Sequence, residues 1–176
     1  GCHTCTIACM IEHDLNDGSG IVVQTIGGKD RDTPEGRHPD LHMHFLPIPC
    51  MHCAKAPCIE ACPNEAIYTR PDGIVLIDEK ICDGCSNCVS ACPHGVIVSD
   101  EKKESAWKCN MCFNRIDEGL EPFCVLCCEG EAMFFGDLND SESMVSKMIS
   151  NRGGQALLNE IDPAVWYCPT REGRLR

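Results

Sequence analysis

The sequence predicts an α+β fold of short helices and small antiparallel strand pairs with many connecting loops, and three observations carry that prediction. Cysteine is too abundant for an ordinary soluble domain, 17 among 176 residues, and falls into four tight runs. Two of those runs are copies of each other, 30 positions apart over most of their length. Short stretches of strand character, bounded by Gly and Pro, lie between them. Aromatic residues make up only 5% of the chain, so apolar burial is modest and something else must help hold the fold.

The first run is Cys2, Cys5 and Cys9. Its spacing is that of the last three members of CxxCxxCxxxC, whose first member would fall three positions before Cys2. Residue 1 is Gly, so the chain is expected to lack its true beginning. The alternative is a genuine three-Cys site that holds a 3Fe cluster or takes a non-Cys ligand. Residues 10 to 49 form an insertion whose turns are marked by Gly27-Gly28, Pro34 and Gly36. Within it, Ile21 to Ile26 and Leu41 to Phe45 read as strands, the second alternating with period two. His42 and His44 would then point the same way. No carboxylate or Cys sits at matching spacing, so a solvated strand face is favoured over a metal site.

The second run is Cys50, Cys53, Cys58 and Cys62, and the third is Cys82, Cys85, Cys88 and Cys92. The third reads CxxCxxCxxxCP, the bacterial ferredoxin pattern in which three thiolates converge on one cluster and the fourth is carried to its neighbour. Pro93 prevents the short helix bearing that fourth Cys from continuing. The second run repeats this device with a two-residue loop insertion, since Cys58-Ile59-Glu60-Ala61-Cys62-Pro63 returns as Cys88-Val89-Ser90-Ala91-Cys92-Pro93. Between the two, Ala66-Ile67-Tyr68, a Pro71-Asp72-Gly73 turn and Ile74 to Ile77 predict a β-hairpin that packs apolar residues against the clusters. Gly84, Ala61 and Ala91 are expected to let backbone approach the sulfurs.

The fourth run is Cys109, Cys112, Cys124 and Cys128, which leaves Cys127 and Cys168 outside, each read as a small buried hydrophobe. Because Cys127 adjoins Cys128, a shifted register stays open. Cys spaced three apart on a tight loop are poorly placed for cross-fold disulfides. Zinc would suit the fourth run alone, but does not explain three consecutive CxxC steps. Beyond it, Ser141 to Ile149 reads as a helix capped by Ser141, with Glu142 in its first turn. Gly153-Gly154 then begins a loose tail, in which Val165-Trp166-Tyr167 is a strand packed in the core or an anchor for a partner.

A net charge of -12 argues against nucleic acid or anionic lipid as a partner. No run approaches the roughly 18 apolar residues of a membrane span, and no signal peptide is visible. No nucleophile with its base, phosphate loop or carboxylate pair stands out, and His3, His52 and His94, beside ligand Cys, are read as packing residues before tuning ones.

Taken together, the four-run order, the CxxCxxxxCxxxCP second run, Lys108-Cys109 with Cys112 and Arg115, and Phe135 to Asp140 resemble the four-cluster, ferredoxin-like electron-transfer (beta) subunit of the dimethyl sulfoxide reductase (molybdopterin oxidoreductase) family. Pro commonly follows the last Cys of the fourth run in that family, whereas Glu129 follows Cys128 here. The resemblance implies a subunit of an anaerobic respiratory oxidoreductase complex that is not itself catalytic. It docks on a large subunit with a molybdenum or tungsten bis-pterin cofactor and relays electrons to or from a quinone-linked membrane subunit or another carrier.

It implies four [4Fe-4S] clusters in two nested ferredoxin-like modules, residues 1–9 with 100–136 and residues 50–99, beside the β-rich insertion 10–49 and a C-terminal helix and tail 137–176. Position by position, Cys2, Cys5 and Cys128 share one cluster with the upstream Cys, and this is the one nearest the pterin. Cys9, Cys109, Cys112 and Cys124 hold the next, Cys50, Cys53, Cys58 and Cys92 the third, and Cys62, Cys82, Cys85 and Cys88 the fourth. It further implies a bacterial or archaeal chain, folded in the cytoplasm and open to export with its partner to the membrane periphery. A free polyferredoxin, or the relay subunit of a hydrogenase or formate hydrogenlyase, would carry the same Cys runs.

Overall fold

The computed structural model describes residues 1–16, 18–30, 33–100 and 104–169. Its helices are short because the sequence interrupts them. Helix α1 (Thr4–Glu12) starts from a left-handed His3 at φ 59°. Helix α2 (Pro57–Glu60) opens on Pro57, where a missing N–H costs nothing. Helix α3 (Asn87–Ala91) stops at Cys92, which is extended at ψ 113° because Pro93 follows it. Helices α4 (Phe113–Asp117) and α5 (Phe123–Leu126) are single turns, and Pro122 introduces the second. The helices pack in pairs, α1 against α5 and α2 against α3.

The strands form small antiparallel sheets. Strand β1 (Ile21–Ile26) pairs with β5 (His44–Pro49), from Ile21 opposite Pro49 to Ile26 opposite His44. Strands β2 (Gly28–Asp30), β3 (Thr33–Arg37) and β4 (Asp40–His42) make a three-stranded excursion at the tip of that ribbon. The predicted strand Leu41 to Phe45 is therefore broken at Met43. His42 and His44 belong to different sheets, and His42 Nε2 lies 3.7 Å from Glu35 Oε2 across the β3–β4 pair. The predicted hairpin is present as β6 (Ile67–Thr69) and β7 (Val75–Ile77), with Tyr68 opposite Leu76. Strands β8 (Val98–Asp100) and β9 (Ser105–Trp107) pair in the same manner.

Helix α6 (Met144–Arg152) begins three residues later than predicted. Its cap is Ser143, whose hydroxyl oxygen accepts from Ser146 N–H at 3.2 Å and whose O–H donates to the Asp137 carbonyl at 2.7 Å. Gly153 closes the helix at φ 64°, and Gly154 N–H donates back to the Ile149 carbonyl.

The segment beyond it is not loose. Strand β10 (Gln155–Ala156) pairs with β11 (Trp166–Tyr167), and the stretch between them straps down the loop of the second Cys run. Ala54 N–H donates to the Asp162 carbonyl at 2.9 Å, Lys55 N–H to that of Ile161 at 3.2 Å, and Ala164 N–H to that of Met51 at 2.8 Å. Tyr167 Oη donates to the Pro47 carbonyl on β5 at 2.9 Å, while Trp166 is exposed. Tyr167 is thus an internal anchor, which settles the role of that aromatic pair on the side of packing for Tyr167 only. The core is built partly of sulfur: Cys50, Cys53, Cys58, Cys88 and Cys109 pack with Ile48, Met51, Ile67, Val75, Val96 and Ile97.

Candidate iron–sulfur sites

Each Cys-x-x-x-Cys step sets two thiols about one helical turn apart, on or just past a short helix. Cys5 and Cys9 lie on α1, while α2, α3 and α5 carry Cys58, Cys88 and Cys124 and lead to Cys62, Cys92 and Cys128. Helix pairing then brings thiols of different runs together. Burial raises the Cys58 thiol to about 12, and the charges of Cys50, Cys92 and Cys53 push it the same way. Burial likewise raises Cys53 to about 11, with Cys50 and Cys92 adding to it. Cys88 is raised by burial and then by Cys82, Cys62 and Cys85. Cys124 is raised to about 12 by burial and by Cys112, Cys9 and Cys5. Burial drives Cys109 upward most strongly of all, followed by Cys50 and, more weakly, Cys9, so Cys109 adjoins two of these groups.

The thiols are also served by N–H donors. Ala66 N–H donates to Cys62 Sγ at 3.3 Å and Ala132 N–H to Cys128 Sγ at 3.4 Å, the same four-residue reach in the second and fourth runs. Ala106 N–H donates to Cys82 Sγ, and Met111 N–H to Cys109 Sγ. Gly20 N–H donates to Cys9 Sγ at 3.4 Å. His13 Nε2 lies 3.4 Å from Cys112 Sγ, its ring tilted against Trp107 at 5.6 Å.

Burial is graded along the sites. Cys9, Cys50, Cys53, Cys58, Cys88, Cys109 and Cys112 are buried, whereas Cys2 and Cys85 are exposed. A small cavity of about 20 Å³ is lined by Cys50, Cys53, Cys58 and Cys92 together with apolar Met51, Val75, Val96 and Ile97. All 17 cysteines are unpaired thiols. Cys127 follows α5 as its C-cap, and Cys168 Sγ lies 3.9 Å from the Met148 carbonyl. Among the described residues, no three His, Cys, Asp or Glu side chains converge on the shell of a single metal ion. A four-iron cube takes thiolates spread wider than such a shell.

Sequence reasoning missed three residues at these sites. Gly20 is one: a Cβ there would come within 2.9 Å of the Cys109 backbone N, Cα and Cβ, so only Gly lets β1 enter beside Cys9 and Cys109. Its one available signal was a small residue just before the first strand. His13 carried no signal beyond following α1. Lys108 was seen as a motif letter, yet it is only 3% exposed. Its Nζ donates to the Cys109 carbonyl at 3.1 Å and to the Val75 carbonyl. Val75 N–H in turn donates at 3.0 Å to Nδ1 of His52, itself 3% exposed and held neutral, pushed down to about 3 by burial and by the Lys108 charge. A Cβ at Gly84 would meet the Glu104 carbonyl oxygen, and its φ of +72° also favours Gly there.

Thiols gathered on paired short helices, under N–H donors and apolar cover, suit iron–sulfur clusters, and residues 41–138 match the 4Fe-4S dicluster domain family. The class is a ferredoxin-like iron–sulfur protein. The chain is 35% identical to the B subunit of sulfite dehydrogenase from Allochromatium vinosum, over 99% of this chain and 80% of that one. It is 36% identical to the B subunit of tetrathionate reductase from Salmonella typhimurium, over 95% and 67% of the two chains. It is 34% identical to the B component of anaerobic dimethyl sulfoxide reductase from Escherichia coli, over 80% and 69%. The chain belongs to the family of iron–sulfur electron-transfer subunits, designated B or beta, of dimethyl sulfoxide reductase-type complexes, and is a non-catalytic subunit of that kind.

Proposed function

We propose that this chain relays single electrons through four [4Fe-4S] clusters between a catalytic subunit carrying a molybdenum or tungsten bis-pterin cofactor and a quinone-linked membrane subunit or other carrier. The observation that carries this reading is the sorting of thiols from different runs into mutually acting groups. Cys50, Cys53, Cys58 and Cys92 line one cavity, and Cys62, Cys82 and Cys85 all act on Cys88. Cys9, Cys109, Cys112 and Cys124 form the third set, and Cys2, Cys5 and Cys128 hold a cluster with a ligand beyond these three. We assign that place to Cys128 rather than Cys127, because Cys128 accepts from the N–H four residues on, Ala132, as Cys62 accepts from Ala66.

The donor chemistry suits the clusters. Crowded, buried thiols stay protonated on their own and become ligands when a cationic core offsets their charge. Thr6 Oγ1, His52 Nε2 and His94 Nε2 are buried with no partner among the described residues, each within two positions of a Cys, and cluster sulfides would supply acceptors.

When bound, each cluster changes oxidation state by one electron, so that a two-electron reaction on the partner proceeds in single steps. The protein's part is spacing and insulation: α1 with α5, and α2 with α3, form two nested ferredoxin-like modules, and Val75, Val96 and Ile97 keep water from the interior thiols. Beside Cys128 a cleft is lined by Val125, Leu126, Met133 and Phe134 together with Glu121, Glu129 and Glu131, and Leu126 and Phe134 are exposed. That face suits docking of the catalytic subunit. Among the described residues no helix is long and apolar enough to cross a membrane. A peripheral place at the membrane through partner subunits fits this.

The test is anaerobic purification with iron and acid-labile sulfide analysis, EPR after dithionite, and identification of copurifying subunits. Iron and sulfide for four clusters with a large pterin subunit is the expected result. Zinc without sulfide refutes the reading, and a fully loaded chain that associates with no pterin subunit turns it towards a free polyferredoxin.

A further inference from the structure

The described structure contains one buried ammonium that the relay does not yet use. Lys108 is 3% exposed, and among the described residues no carboxylate pairs with it. A buried, unpaired cation is costly unless negative charge stands nearby. Two of its N–H groups are taken by the carbonyls of Val75 and Cys109, which fixes the ammonium in place, and among the described residues the third has no acceptor. One of those carbonyls belongs to Val75, which lines the cavity of Cys50, Cys53, Cys58 and Cys92, and the other to Cys109, a thiol of the second interior set. Lys108 therefore stands where the two interior thiol groups meet.

We propose that Lys108 is a positioning residue for electron transfer: a lysine ammonium shared by the two interior clusters, which raises the reduction potential of both. The inference rests on the ligand sets proposed above. Reduction adds one electron to a cluster already surrounded by four thiolates, and a fixed cation beside it favours the added negative charge. The outer clusters, at Cys2 and Cys85, lie nearer solvent, where screening is stronger.

The experiment is an anaerobic EPR redox titration of the holoprotein and of Lys108→Gln, Lys108→Arg and Lys147→Gln, each with iron and sulfide counted. Lys147 is an exposed lysine paired with Glu142 and serves as the control. In Lys108→Gln, with full iron and sulfide, two centres should become harder to reduce by at least about tenfold in equilibrium, about 59 mV for one electron. The other two should hold, and Lys108→Arg should keep wild-type values. Loading lost in Lys108→Gln but kept in Lys108→Arg also supports a required charge. Unchanged potentials in loaded Lys108→Gln, an equal shift of all four centres, or failure of both Lys108 variants to load would overturn the proposal. Absence of iron and sulfide from the unaltered protein would instead refute the underlying cluster assignment.

Discussion

Replacing Gly20 by Ala puts a methyl group into a space the backbone of Cys109 already fills. The new Cβ would stand 2.9 Å from Cys109 N, Cα and Cβ, none of which is a flexible side-chain end that can swing aside. The strand entry at Gly20 or the Cys109 loop must move, and overpacking of this kind costs about 1–3 kcal/mol. For a chain of this size that lowers the melting midpoint by about 2–12 °C. The same displacement lengthens the 3.4 Å bond from Gly20 N–H to Cys9 Sγ, so the disturbance falls on the thiols of Cys9 and Cys109 together. Gly130→Ala is the matched control, since its added Cβ meets nothing within 4 Å. The assay compares melting at one scan rate, cluster content and EPR line shape in the three proteins. A Gly20→Ala protein with the midpoint, iron content and EPR spectrum of Gly130→Ala would refute the claim that this close approach shapes the site.

Tyr167→Phe deletes the O–H donated to the Pro47 carbonyl and should cost about 1 kcal/mol, a fall of about 2–4 °C in melting, with no change in iron content. Ser143→Ala removes the cap of α6 and should cost about 1 kcal/mol, seen as faster amide exchange over Met144 to Ser146 and no change in the EPR spectrum. Cys168→Ser and Cys127→Ser should retain the full iron and sulfide complement, whereas Cys58→Ser should lose a cluster or alter its spectrum; iron lost from Cys168→Ser would show that a ligand had been misassigned.

What was legible in the sequence was local. The β6–β7 hairpin could be read because its turn and both strands lie within about a dozen residues of one another, and the end of α3 because Pro93 alone decides it. Long-range hydrogen bonding decided the rest. Leu41 to Phe45 alternates as a strand should, yet β4 pairs with β3 while β5 returns to β1, and the chain breaks between them at Met43. Ser141 and Ser143 are both acceptable caps, and the Asp137 carbonyl selects Ser143. The strap over Met51, Ala54 and Lys55 was hidden because its acceptors and donors are backbone groups about a hundred residues away, where side-chain periodicity says nothing. At the sites, the four runs were plain, but the neighbourhood of Cys92 with Cys53, or of Cys62 with Cys88, depends on helices packing in space and came only from the family resemblance. Lys108 was hidden because a lysine is expected at the surface, and nothing in its neighbours' identities marks it as buried.

The gradient of thiol exposure also bears on how such a chain ages in air. Dioxygen and peroxide diffusing from outside reach sulfur first at Cys2 and Cys85, while Cys50, Cys58 and Cys109 lie behind packed side chains. In the relay proposed above, oxidative damage should therefore advance inward from the exposed ends, leaving a population of molecules with an intact middle that can no longer accept or deliver charge at either end.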